Sequence, residues 1–417
     1  MIAVHTSPLE IPGSGDAGGL NVYVCQVARR LARRGIEVDI FTRATSARQP
    51  VSQALAPGVR VCHVIAGPLE PLPKDELPQQ LCAFTAAVLR AEACREQGWY
   101  DVIHSHYWLS GQVGMLASRR WAVPLVHTMH TLAKVKNATL TEGDRPEPQV
   151  RVVGEAEVVA AADRLVANTE GERRQLVELY GADPEAVAVV PPGVDTAVFR
   201  PGLQERARRR LHLPEPGPVI LFVGRLQPLK GPDVVIRAVA ELVAKRPELR
   251  ATLRLVIVGG PSGPGMDVEW LRALAAECGI AELVRFEPPV PPHRLVEFYR
   301  AATFTVVPSH SESFGLVALE SQACGTPVIA ARVGGLATAV QDGLSGRLID
   351  GHDPGRYASV LAELLDDRVS YAAMRRRAVE HASLFDWERT ASGLLAVYEA
   401  AVAARRRSDI ASLLGSA

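Results

Sequence analysis

A chain of 417 residues is longer than one hydrophobic core serves and implies roughly two domains. Its 47% hydrophobic and 22% charged content is that of a globular protein, and a formal net charge of +0 leaves no electrostatic footprint for nucleic acid or membrane. Small molecules or a second copy of the chain remain as partners.

Six cysteines (Cys25, Cys62, Cys82, Cys94, Cys278 and Cys324) show no C-x-x-C spacing, which predicts buried thiols in a reducing cytoplasm rather than a zinc site or a disulfide framework. No basic segment followed by an apolar stretch opens the chain, and it contains no run of about 18 apolar residues, so neither export nor anchoring is expected. Only five of the 46 basic residues are lysines (Lys74, Lys134, Lys136, Lys230 and Lys245). Against that arginine-rich habit each lysine reads as a point charge kept for a reason, and Lys74 and Lys230 draw attention first.

In chain order, Met1 to Val4 are too few for a full opening strand at about 3.3 Å per residue, so the chain is expected to begin short of one. Gly13-Ser-Gly-Asp-Ala-Gly-Gly-Leu-Asn21 then leads into a helix expected from near Val22. Its glycines permit close backbone approach, Gly18 and Gly19 can present N–H groups to a phosphate, and Asp16 and Asn21 can bond hydroxyls; an ordinary flexible loop would read the same. The strand-like runs IEVDIFTRA, VRVCHVIA, YDVIHSHY, PLVHTMHT and RLVANT alternate with helical stretches, the pattern of a parallel sheet. His104 and His106 follow YDVI, and His127 and His130 follow PLV, with no carboxylate or cysteine nearby to complete a metal set. Neutral histidines bonded to sugar hydroxyls, or satisfied in the core, fit better.

Pro191, Pro192 and Pro201 mark a hinge, after which the alternation restarts with PVILFVGR, LRLVIVGG, LVRFEPP, FTVVPS, TPVIAAR and GRLIDG. Residues 1–196 and 197–385 are therefore expected to form two Rossmann-like domains, with residues 386–417 a long helix crossing back to the first and fraying from Ser408. Ligands should lie at strand ends. Arg225 and Lys230, after VILFV, can clamp a pyrophosphate with a fork and a point charge. After TFTVVP, Ser309 to Ser313 can cap a helix, with Glu312 before it for a sugar and Glu320 two turns in for a nucleoside. No Asp-x-Asp pair and no G-x-x-x-x-G-K-[ST] loop is present, so a leaving diphosphate would be neutralised by Arg225, Lys230 and helix N-termini.

HTSPLEIPGSGDAGGLNVYV, HSHYWLSGQVG, HTMHTLAKVKN, FVGRLQPLKGP and SESFGLVALESQACGTPVIAARVGGL together resemble the retaining glycosyltransferases of family four, over His5 to about Tyr398. The resemblance implies an α/β GT-B fold, two Rossmann-like domains facing across a cleft. It implies transfer of N-acetylglucosamine from UDP-N-acetylglucosamine to 1D-myo-inositol 3-phosphate, the first step of mycothiol biosynthesis, by a cytoplasmic homodimer. Carried over by position, Arg225 and Lys230 would bind the diphosphate, Glu320 the ribose, and Glu312 the sugar. His5, Ile11, Pro12, Gly19 and Val290 would line the donor, and His130 would reach the transferred sugar. Asp16, Ala17, Gly18, Gly19, Leu20 and Asn21 would surround the inositol, and Lys74, Tyr107, Thr131 and Arg151 its phosphate. No cofactor is required for the chemistry; a peripheral magnesium would sit near Tyr299, Arg300, Ala302 and Thr326. Met129 and Thr303 depart from the family pattern, where Ala and Asp are expected. Alternatives are a sucrose-phosphate-type hexose-phosphate glycosyltransferase, a UDP-N-acetylglucosamine 2-epimerase, and a non-catalytic sugar-nucleotide sensor.

Overall fold

The computed structural model describes residues 1–13, 15, 17–140, 146–262 and 266–415, with side chains described as far as 407. In the first half the strands are β1 (Val38–Arg43), β2 (Ser52–Ala56), β3 (Val59–Val64), β4 (Ile103–His106), β5 (Leu125–Thr128), β6 (Arg164–Ala167) and β7 (Val187–Val189). β4 to β7 pair in parallel in chain order, and β1 pairs in parallel with β3. Residues 1–4 join the two groups. Ile2, 1% exposed, bridges Phe41 on one side and Ser105 on the other, with Ile2 N donating to His104 O (3.0 Å) and Ala3 N to Phe41 O (2.9 Å). Four residues too few for a ladder are thus stitched from both sides.

One pairing departs from the expected parallel pattern: β2 runs antiparallel to β3 at the edge, through a turn in which Gly58 has φ +74°. Its Ser52 to Ala54 are solvent-exposed, so the run carries no apolar signal and is invisible to a pattern search.

The second half contains β8 (Val219–Val223), β9 (Arg254–Val258), β10 (Val284–Glu287), β11 (Phe304–Val307), β12 (Val328–Ala331) and β13 (Gly346–Ile349), all parallel in the order β10-β9-β8-β11-β12-β13. Strand residues alternate between two cores: Ile220, Phe222, Leu255 and Ile257 face one layer of helices, Leu221, Val256 and Val258 the other. The chain reverses its direction of winding between β8 and β11. In a doubly wound sheet that reversal opens a crevice at the strands' carboxyl ends, which fixes where a ligand goes.

The helix Trp387–Gly415 crosses back, burying Trp387, Leu394, Val397, Tyr398 and Ala401 among Tyr23, Val24 and Val27 of the first half. Asp386 caps it by accepting from Arg389 N (2.7 Å). It continues to Gly415, beyond the fraying expected at Ser408. Thr303 takes over a polar task in its pocket, its hydroxyl accepting from Arg208 Nη2 (3.2 Å) and Val219 N (3.0 Å), while Met129 Sδ lies 3.2 Å from His127 Nε2. The cysteines are not uniformly buried as expected: Cys82 and Cys94 are exposed, and all six are free thiols. Among the described residues no helix is long and apolar enough to cross a membrane.

Candidate active site

Both loops at the reversal point carry expected site residues. Gly224 to Gly231 follow β8, and residues 308–315 follow β11. Lys230 Nζ meets Glu312 Oε2 at 2.5 Å, with both side chains about one-fifth exposed (19% and 20%). Arg225 Nη1 donates to Ser262 Oγ at 3.2 Å. The Glu312 loop is braced from behind: Gly335 N donates to Glu312 O (2.9 Å), and a Cβ on Gly335 would fall 2.2 Å from Phe314 Cα. Only a glycine allows that approach.

The helix here is Leu316–Ala323, capped by Gly315 at φ +103°, and no serine from 309 to 313 caps it as expected. Ser313 Oγ instead donates to the backbone oxygen of His130, joining the two halves. Glu320 lies one turn into this helix rather than two, and its Oε2 accepts from Tyr299 OH at 2.8 Å. Burial pushes its carboxyl up to about 7, against the smaller opposing pull of the Tyr299 hydrogen bond.

On the facing half, His5 follows the residue 1–4 segment, Tyr107 follows β4 and His130 lies two residues beyond β5. Tyr107 and His130 hold φ of +72° and +61°, backbone states that cost a non-glycine residue strain of order 1–3 kcal/mol and that re-aim both side chains. The rings of His5 and Tyr107 lie 4.5 Å apart, and the Arg151 guanidinium sits 4.9 Å above Tyr107. Arg151 donates to Thr131 Oγ1 (2.8 Å), Glu155 Oε1 (2.8 Å) and Glu147 Oε2 (2.8 Å). Burial drives the His5 imidazole well below its usual range, and the positive charges of Lys74, Arg151 and Arg225 push it further. Its Nδ1 is buried without a partner.

The histidines sort into two kinds. His104 bonds Tyr398 OH (2.6 Å) and Thr128 Oγ1 (2.9 Å), and His127 bonds Ser105 Oγ (2.7 Å), so both are satisfied inside the fold. His130 has Nε2 3.1 Å from His106 Nδ1 and its ring edge-on to Tyr23 at 5.0 Å, and burial lowers it to about 3. It is a neutral imidazole at pH 7. No cluster of three His, Cys, Asp or Glu side chains suited to a metal occurs among the described residues.

In the glycine loop, the helix starts at Gly19, three residues before the expected Val22. Asn21 does not offer a free amide as expected: it is 1% exposed, its Oδ1 accepts from Gly18 N (3.0 Å), and its Nδ2 donates to Thr6 Oγ1 (2.8 Å) and to Ser7 O. It holds the loop in shape. Asp16 lies outside the described residues. Ala17 is buried, Gly18 and Gly19 remain accessible, Leu20 packs on the core, and Ile11 and Pro12 stand at the rim with Ile11 52% exposed. The loop touches the second half: Gly260 N donates to Gly13 O (3.2 Å), and a Cβ on Gly18 would lie 3.8 Å from Arg225 Nε. Val290 packs partly buried on the second half's core.

Comparison with known proteins places this geometry. Residues 18–193 match the glycosyl transferase 4-like domain and residues 204–382 the glycosyl transferases group 1. The D-inositol 3-phosphate glycosyltransferase of Acidothermus cellulolyticus is 71% identical over 97% of this chain and 91% of its own, and that of Thermobispora bispora 62% identical over 96% and 94%. The chain belongs to the D-inositol 3-phosphate glycosyltransferase family.

As a member of that family it is a hexosyltransferase of the GT-B fold. Sucrose-phosphate synthase from Thermosynechococcus elongatus superposes with a TM-score of 0.87 at 32% identity, over 97% of this chain and 98% of that one. Anabaena HepE, solved with UDP-glucose, shares the fold at TM-score 0.73 and 20% identity, over 98% and 99%.

The positions suggested for magnesium come together at the C-terminal end of the helix Pro292–Ala301. The Tyr299 carbonyl already accepts from Thr326 Oγ1 (2.6 Å) and the Ala302 carbonyl from Gln204 Nε2 (2.7 Å), while Arg300 Nε donates to Arg200 O (2.9 Å). Sequence reasoning missed Lys136, Glu147 and Glu155 around Arg151, the bracing Gly335, and Ser313 as a tie between halves. The rarity of lysine and the four-residue spacing Glu147, Arg151, Glu155 were usable signals for the first three.

Proposed function

We propose that this chain transfers N-acetylglucosamine from UDP-N-acetylglucosamine to 1D-myo-inositol 3-phosphate with retention, releasing UDP, as the first step of mycothiol biosynthesis in the cytoplasm, and that it works as a homodimer. The observation that carries the reading is a cation on each half of the cleft: Arg151, 4.9 Å above the Tyr107 ring that stands 4.5 Å from His5, and Arg225, whose Nε lies 3.8 Å from where a Cβ on Gly18 would be. A donor diphosphate suits the Arg225 and Lys230 side, and a second, monoester phosphate suits Lys74, Tyr107, Thr131 and Arg151.

The reaction fits front-face displacement. The acceptor hydroxyl oxygen bonds to the anomeric carbon on the face from which UDP departs, the bond from that carbon to the phosphate oxygen breaks, and the departing phosphate takes the hydroxyl proton. Arg225 and Lys230 stabilise the charge that grows on the diphosphate. Lys230 is preset against Glu312, so an arriving diphosphate shares the lysine while Glu312 turns to the sugar hydroxyls. Neutral His130 serves as a hydrogen-bond partner to the sugar rather than as an acid. Ile11, Pro12, Gly19 and Val290 line the donor, Glu320 accepts from the ribose, and Ala17, Gly18, Leu20 and Asn21 shape the bed of the inositol ring.

The test is UDP release with UDP-N-acetylglucosamine and inositol 3-phosphate, with the product's anomeric configuration read by NMR. An α-linked product supports the reading. A sucrose-phosphate-type reaction is favoured by the 32% identical synthase, and faster turnover with fructose 6-phosphate than with inositol phosphate would replace the proposal. UDP release without any acceptor would point to an epimerase instead, and donor binding without turnover to a sensor.

A further inference from the structure

Glu147, Arg151 and Glu155 are spaced four apart and form a gradient from cleft to core. Glu155 is fully buried, and its second oxygen accepts from Ala133 N (2.8 Å) and from Tyr180 OH, so it is fixed in place. Arg151 is 4% exposed in its side chain, and Glu147 19%. Glu147 also pairs with Lys136, and its backbone is pinned by Asn137, whose Oδ1 accepts from Glu147 N at 2.7 Å. Its charge reaches the Tyr107 phenol, which stands against His5. A carboxylate thus occupies the outer guanidinium nitrogen, Nη1, of the cation assigned to the acceptor.

Resting on the proposed function's assignment of Arg151 to the acceptor phosphate, we propose that Glu147 is a built-in competitor for that phosphate, holding Arg151 until the phosphate displaces it and leaves it to Lys136. The charges favour exchange. Lys136 and Arg151 balance Glu147 and Glu155 at two against two, and a phosphate monoester brings about −1.5 to −2, more charge than the one carboxylate it displaces, with oxygens matched to the guanidinium fork. Glu155, buried and three-way bonded, stays on Nε. Glu147 prevents the cost of an unpaired buried cation in the empty site, and weaker anions must compete with it. Lys136 then keeps the displaced Glu147 paired, consistent with its survival among arginines.

The experiment measures KM for inositol 3-phosphate, KM for the donor, the inhibition constant of inorganic phosphate, and melting temperature in Glu147→Gln, Glu147→Asp and Lys74→Ala. Glu147→Gln is expected to lower acceptor KM by about three- to tenfold and to strengthen phosphate inhibition alike, with donor KM unchanged. Glu147→Asp keeps the charge near Lys136 but shortens the reach to Arg151; a smaller fall in acceptor KM is expected, and it decides the matter if the Gln variant does not fold. An acceptor KM that is unchanged or raised would make Glu147 a mere buttress and overturn the proposal. Lys74→Ala separates the two layers. If it raises acceptor KM while neither Glu147 variant lowers it, only the competitor role fails; if it leaves acceptor KM untouched, the phosphate-site reading fails and takes the competitor with it.

Discussion

On one side of the cleft Lys230 meets Glu312 as a pair about one-fifth exposed, whereas on the other Arg151 is nearly buried and held by Glu155, Glu147 and Thr131 at once. The first arrangement is easily re-paired, so a ligand can exchange partners at small cost. The second is part of the fold. Burying a guanidinium demands at least one permanent carboxylate, here Glu155, and that ties binding to stability on the first half in a way the second half avoids. The strand ends explain the difference. Arg225, Lys230 and Glu312 stand on loops at the reversal point of a six-stranded sheet, while Arg151 projects from the side of the helix Gln149–Ala161.

Substitutions should separate the halves accordingly. Arg151→Ala leaves Glu155 buried without its cation and should cost about 3–5 kcal/mol of stability, read as a fall in denaturant midpoint, along with acceptor binding. An unchanged midpoint would break the contrast. Arg225→Ala should lower turnover on the order of 10²–10³, by analogy with removing one donor from an oxyanion site, with the chain still folded. Activity within tenfold of wild type would remove Arg225 from the leaving-group role. Tyr398→Phe tests whether the crossing helix belongs to the first half's account: it strips His104 of a buried partner and should cost about 1–3 kcal/mol of stability with donor KM unchanged.

The contrast also tracks what was legible in the sequence. The donor loops follow apolar strands directly, so strand ends named Arg225, Lys230 and Glu312 without any knowledge of packing. Apart from Lys74, which the rarity of lysine singles out, the proposed acceptor side is reached only through resemblance, because Lys74, Tyr107, Thr131 and Arg151 come from four separate segments whose meeting depends on tertiary packing. Ser313 and His130 are 183 residues apart, and no spacing encodes their bond. Asn21 was misread for a related reason: a polar residue in a glycine loop looks available, yet the loop's shape consumes its amide. The antiparallel β2 escaped because its exposed residues carry no alternation.

The smallest expected effect is a pH dependence, and it too falls on one side of the cleft. Burial holds the Glu320 carboxyl at about 7, above the ordinary carboxylate value, so in the free enzyme it gains a proton as pH drops through 7. Binding a ribose diol uses the carboxylate as an acceptor from both hydroxyls, and the protonated form must first lose its proton. Donor affinity is therefore full above about pH 8 and weakens below 7, with donor KM rising toward tenfold per pH unit, about 1.4 kcal/mol, at the acid end. Glu320→Gln removes the titrating group and should flatten that slope while raising donor KM at pH 8. Acceptor KM answers to other groups, since His5 and His130 are already neutral at these pH values and Arg151 keeps its charge. A donor KM that stays level from pH 8 to 6 in the wild type would mean that Glu320 does not meet the ribose as a carboxylate, and the division of labour between Glu312 and Glu320 would have to be redrawn.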